Sequence, residues 1–160
     1  MKDSDIKIEG NDLITGFGFC VWLLIHDQTI WEPSRKLYND CYNDFPLHVT
    51  IKSHFKTYEE ALNFKTKYLP PSHVTPTKLI NRQSCVIDNI SFHSLEIVVN
   101  ADGIDNAHMS LAYNTDKPFK LPGVELYEVL PNINKKYKNF SVCIADLRCV
   151  HPNKWVIYNT

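Results

Sequence analysis

The sequence has no C-x-x-C pair, no apolar run long enough for a membrane, no block of one charge and no low-complexity linker. Each absence narrows what the chain can be. Its five cysteines, at 20, 41, 85, 143 and 149, are odd in number, a poor disulfide framework that points instead to reduced thiols. The most apolar run, Phe17 to Ile25, is too short to span a bilayer, and "MKDSDIKIEGND" lacks the apolar stretch of a secretion signal. A soluble, intracellular, cytoplasmic protein with no membrane contact is expected. With 17 Lys and Arg against 18 Asp and Glu, the formal charge of −1 gives no global field for a long polyanion. Any nucleic-acid ligand should therefore be short. No H-x-x-x-H, H-E-x-x-H or closely paired Cys/His set occurs, so neither a metal nor another cofactor is expected.

What the chain does have is a core: 44% hydrophobic residues against 22% charged, over 160 residues, suits one domain or two small lobes sharing a core. Residues 1 to 14 read as an extension or edge segment before a first core strand at Phe17 to Ile25. Pro33, with Leu37 and Cys41 four apart, predicts a short helix over about 34 to 43. Thr57 followed three residues later by Glu60 is a capping-box signature, opening a helix that Pro70 and Pro71 end. Residues 77 to 100 read as two or three strands with Val86 to Phe92 and Leu95 to Val99 as their apolar centres, and further strands are expected at Phe140 to Val150 and Trp155 to Tyr158, with "VELYEVL" left open between helix and strand. Helices scattered among many strands indicate an α+β sheet architecture.

Two segments carry the chemistry. In Leu47 to Lys52, alternation places Leu47, Val49 and Ile51 on one face and His48, Thr50 and Lys52 on the other. In Ala107 to Tyr113 it sets His108, Ser110 and Ala112 opposite Met109, Leu111 and Tyr113. Two imidazoles near neutral pH can serve as base and acid in one step, and a hydroxyl two residues along the strand can hydrogen-bond a phosphoryl oxygen between them. That equipment fits displacement at phosphorus without a metal. Lys52 and His54 continue the parity of His48 and are expected either to add positive charge or to be solvated. "SHVTP" repeats the pattern at His73 and Thr75, but Pro70, Pro71 and Pro76 mark it as loop or edge structure. Phe119 is a candidate for base stacking, while His26, His93 and His151 read as structural or surface residues and the cysteines as core fillers.

The pairs "HVT" (His48 to Thr50) and "HMS" (His108 to Ser110) resemble the two H-x-[T/S] signatures of the 2H phosphoesterase, or LigT-like, superfamily. Val21-Trp22 in the first strand, and Leu111 and Tyr113 after the second motif, are similar to its eukaryotic 2′,3′-cyclic-nucleotide phosphodiesterase branch. The resemblance covers roughly residues 17 to 158 and is close only at the motifs. It implies a two-lobed, pseudo-twofold α+β fold, with antiparallel sheets around a central cleft and helices on the outer faces. On that reading residues 1–160 form one domain, with lobe one at about 17–83 and lobe two at about 84–158. It also implies His48 and His108 as the acid and base pair, Thr50 and Ser110 as phosphate ligands, and Trp22 and Tyr113 as pocket walls.

The implied activity is a metal-independent phosphodiesterase acting as a monomer on a 2′,3′-cyclic nucleotide, a 2′-5′ oligoadenylate or a cyclic dinucleotide. One departure stands out: Cys85 to Asn106 shows no helical pattern where the second lobe should carry a helix. Compact viral members of the superfamily cleave signalling nucleotides, and for such a protein the compartment would be host cytoplasm. The alternative is a non-catalytic module that uses the same cleft to hold nucleotides or RNA ends.

Overall fold

A computed structural model describes residues 5–8, 12–26, 45–87, 90–115, 135–149 and 154–158 of the chain. The helix expected at 34–43, the open segment at 124–130, Phe119 and His151 lie outside these residues.

Strands β1 (Asp5–Ile8) and β2 (Asp12–Thr15) pair with each other as an antiparallel two-stranded sheet, where the sequence suggested an extension or an edge segment. The main sheet is built from β3 (Phe19–Ile25), β4 (His48–Phe55), β5 (Val74–Ile87), β6 (Ile90–Ala101), β7 (His108–Thr115), β8 (Phe140–Asp146) and β9 (Val156–Tyr158). Its order is β5-β6-β7-β4-β3-β8-β9, and every pairing is antiparallel. Among the described residues there is one α-helix, α1 (Tyr58–Lys67). The chain is thus an α+β protein dominated by one antiparallel sheet.

Helix α1 begins where the capping signature places it. Thr57 Oγ1 accepts from Glu60 N at 3.2 Å, and Glu60 Oε2 accepts in turn from Lys56 N at 3.1 Å. Glu59 and Glu60 in the first turn and Lys65 and Lys67 in the last suit the helix dipole. The helix lays Ala61, Tyr58 and Phe64 against Phe19, Val21 and Ile144. The same face of the sheet continues through Leu23, Leu47, Val49, Leu95, Ile97 and Met109, all buried in one cluster. Each such aliphatic side chain contributes roughly 1.5–3 kcal/mol by leaving water, so this face fixes the register of the central strands.

Two features depart from the sequence reading. Val86 to Phe92 is not one strand: Ile87 pairs with Ile90, so the chain reverses there and the segment belongs to two long strands, β5 and β6. The lobe boundary at 83/84 accordingly cuts through β5. In space the strands flanking the β7–β4 junction are β5-β6-β7 on one side and β3-β8-β9 beyond β4 on the other, so C-terminal strands join the N-terminal half. Residues His73 to Thr75 lead into β5, an edge strand whose register shifts between Pro76 and Lys78, which is where a sheet tolerates proline.

Candidate active site

The two motif strands are neighbours at the middle of the sheet. Val49 of β4 lies opposite Met109 of β7, the central residues of "HVT" and "HMS". Continuing that antiparallel register by one residue sets His48 across from Ser110 and Thr50 across from His108. The two histidines are then diagonal partners on one face, roughly 7–8 Å apart at the backbone. Val49 and Met109 point into the opposite, helix-side core. His48, Thr50 and His108 line one cavity of about 310 Å³, together with Phe17, Cys20, Ser53, His54, Glu96, Tyr113, Leu147 and Trp155.

Each motif histidine is held in the same way. His48 Nδ1 lies 2.8 Å from the Pro46 carbonyl, and His108 Nδ1 lies 3.1 Å from the Asn106 carbonyl, in both cases two residues back along the chain. A carbonyl only accepts, so both rings donate through Nδ1 and leave Nε2 to exchange protons. Repetition of the motif therefore extends to repetition of the Nδ1–H anchor.

A bulge follows each motif and re-aims the next side chains. On β4, Trp22 pairs with Thr50 but Val21 with Lys52, which leaves Ile51 as the extra residue. Lys52 is thereby turned from the cavity, contrary to its parity with His48, and its Nζ lies 5.4 Å from the Phe64 ring of α1. On β7, Glu96 pairs with Ser110 but Leu95 with Ala112, leaving Leu111 extra. This turns Tyr113, which alternation put on the opposite face, into the cavity wall. His54 also reaches the cavity, from a backbone with φ of 66°, and burial holds its imidazole below the ordinary range.

Trp22 is placed differently from the expected pocket wall. It is fully buried and lies under His48, with ring centroids 3.4 Å apart and planes 9° from parallel. It supports the His48 ring from behind and offers no surface to a ligand. Ser110 is 2% exposed, beneath the cavity surface that Thr50 helps to form.

Several residues escaped the sequence reading. Trp155, from the segment before β9, packs against Phe17, Trp22, Phe45 and Tyr113 at centroid distances of 5.5–6.4 Å and donates Nε1–H to the Cys149 carbonyl at 3.0 Å. It makes the apolar wall continuous with the floor under His48. Glu96 is 1% exposed, accepts from Ser94 Oγ through Oε2, and sets that oxygen 3.6 Å from His108 Nε2. Its signal was a carboxylate inside the otherwise apolar run "SLEIVV", sharing a face with Ser94. Cys20 also lines the cavity, but burial pushes its thiol up to about 12, which makes it a poor nucleophile. Among the described residues no three His, Cys, Asp or Glu side chains cluster as a metal site. No helix among them is long and apolar enough to cross a membrane.

Comparison with family models, with curated proteins and with solved structures returns no match.

Proposed function

We propose that the protein is a metal-independent phosphodiesterase of the 2H type, which hydrolyses a cyclic phosphate or a 2′-linked phosphodiester in a nucleotide. The observation that carries this reading is the pair of histidines on one cavity, each donating Nδ1–H to the carbonyl two residues back. One Nε2 takes the proton of the attacking water as its oxygen bonds to phosphorus. The other gives a proton to the sugar oxygen as the bond from phosphorus to that oxygen breaks. Thr50 at the cavity surface, with Ser110 beneath, supplies hydroxyls for the non-bridging oxygens.

On this reading the groups of strands on either side of the β7–β4 junction correspond to the two lobes of the 2H fold. The size of the cavity supports a small substrate, since about 310 Å³ is at the lower end of ligand sites and suits one nucleotide unit. Phe17, Tyr113 and Trp155 offer the apolar wall that a base requires.

The test is to incubate the purified protein with nucleoside 2′,3′-cyclic phosphates, 2′-5′ oligoadenylate and cyclic dinucleotides, with and without a chelator, and to identify products by mass. Turnover should survive the chelator and fall roughly a hundred- to ten-thousand-fold in His48→Ala and in His108→Ala. Full activity in both variants refutes the proposal. A nucleotide that binds tightly and stays uncleaved points to the binding module instead.

A further inference from the structure

Glu96 has no part in the two-histidine chemistry just described, yet it is the charged side chain least expected at its position. Its neighbours along β6, Leu95 and Ile97, are fully buried, and Glu96 itself is 1% exposed. Taking a carboxylate out of water costs several kcal/mol unless charge and hydrogen bonds compensate, so an acidic residue in such a place is a candidate for function. The register shift between Leu95 and Glu96 sets it opposite Ser110, on the face that carries the histidines. Ser94 Oγ donates to Oε2, which fixes the carboxylate's orientation, and His108 Nε2 lies 3.6 Å from the same oxygen.

The proton inventory decides what this contact means. His108 already donates Nδ1–H to the Asn106 carbonyl, so Nε2 is the ring position left for a second proton. A bare Nε2 beside the buried carboxylate oxygen would set two acceptors against each other, on a ring that is itself one-third exposed. An imidazolium there meets its counter-charge.

We propose that Glu96 is a positioning residue that divides the labour between the two histidines, holding a proton on Nε2 of His108 so that His108 serves the departing oxygen and His48 the attacking one. The inference rests on the phosphodiesterase reading and adds to it an assignment of roles. As the new oxygen–phosphorus bond forms, its proton passes to His48 Nε2. As the bond from phosphorus to the sugar oxygen breaks, that oxygen takes the proton from His108 Nε2. Solvent then returns one proton to His108 and removes one from His48. A tautomer and stacking plane fixed by Pro46 and Trp22 suit His48 to the first task.

The assignment predicts a dependence on the leaving group. A poor leaving group such as a sugar alkoxide needs a proton donor, whereas 4-nitrophenolate departs without one. The experiment measures kcat for two nucleoside phosphodiesters, one with a nucleoside and one with a 4-nitrophenyl leaving group, in wild type, Glu96→Gln, Ser94→Ala, His108→Ala and His48→Ala. Glu96→Gln keeps the volume and an acceptor for Ser94 while removing the charge. Its kcat should fall about tenfold or more with the nucleoside leaving group, short of the roughly hundred- to ten-thousand-fold loss of deleting an acid, and by less than about threefold with 4-nitrophenolate.

His108→Ala should share that selectivity, His48→Ala should lose both activities, and Ser94→Ala should show a weaker form of the Glu96→Gln pattern. Ser94→Ala also carries the test if Glu96→Gln does not fold. Equal losses on both substrates in Glu96→Gln and Ser94→Ala, or selectivity in His48→Ala in place of His108→Ala, overturn the assignment. No turnover of either ester by wild type counts against the phosphodiesterase reading itself.

Discussion

Replacing Trp22 separates its mechanical role from its contribution to the core. Trp22→Ala deletes a fully buried indole, and deletions of this kind destabilise by about 3–5 kcal/mol through lost burial and a residual cavity. A domain of this size holds roughly 5–15 kcal/mol, so the variant should remain folded at low temperature. Trp22→Phe is different. It leaves a ring to stack on His48, and it removes Nε1, a buried donor that finds no acceptor among the described residues. The lost volume costs about 1–3 kcal/mol, and removing a buried donor that has no acceptor among the described residues returns about 1–3 kcal/mol, so the net change should lie within about 2 kcal/mol of zero.

Urea unfolding followed by far-UV circular dichroism reads both stabilities, provided the slopes stay equal. Activity should sort the variants in the same way. With the floor removed, the His48 ring can tilt, and a displacement near 1 Å at a reacting group can cost about a hundredfold in kcat. Trp22→Phe should stay within a few-fold of wild type. A folded Trp22→Ala with undiminished kcat, or a Trp22→Phe as unstable as the alanine variant, refutes the reasoning.

Three other perturbations have definite outcomes. Gly16 has φ of 57°, and a Cβ there would sit 2.5 Å from the carbonyl oxygens of Leu147 and Arg148. Gly16→Ala should therefore lower stability by about 2 kcal/mol or more and raise KM by displacing the Phe17 and Leu147 walls, as thermal melting and steady-state kinetics would detect; an unchanged melting temperature would contradict this. His54 is exposed but partly desolvated on its cavity side, which disfavours its protonation, so a small contribution to stability is present above the unfolded imidazole range near pH 6.5 and is lost as pH falls towards the lower folded value. His54→Gln should flatten the decline of stability just below pH 6.5, and an identical decline in both proteins would show that His54 plays no part. Thr50 lines the cavity while Ser110 lies beneath it, so Thr50→Val should cost about tenfold in kcat/KM and Ser110→Ala less. The reverse order in steady-state kinetics would place the phosphate ligand on β7.

Local features were legible in the sequence and non-local ones were not. Alternation through Leu47 to Ile51 located a strand because one face must meet the apolar core, and Thr57 with Glu60 located a helix because the cap lies within one turn. The bulges at Ile51 and Leu111 are set by partner strands, so simple parity sent Lys52 towards the cavity and Tyr113 away from it. The Ile87–Ile90 reversal did have a sequence signal, the turn-forming pair Asp88-Asn89, which the apolar residues on either side obscured. Trp155 reaches the site because β9 pairs with β8, far along the chain from either motif. Glu96 was visible as a charge in an apolar run, but only the pairing of β6 with β7 brings it to His108.

The convergence of two imidazoles on one phosphorus is tested most directly by a crystal structure with a nucleoside vanadate, whose trigonal-bipyramidal centre mimics in-line displacement. Nε2 of His48 and Nε2 of His108 should each lie within about 3 Å of an apical oxygen, on opposite sides of the metal centre. Vanadate bound outside the cavity, or touching only one of the two rings, would contradict the account.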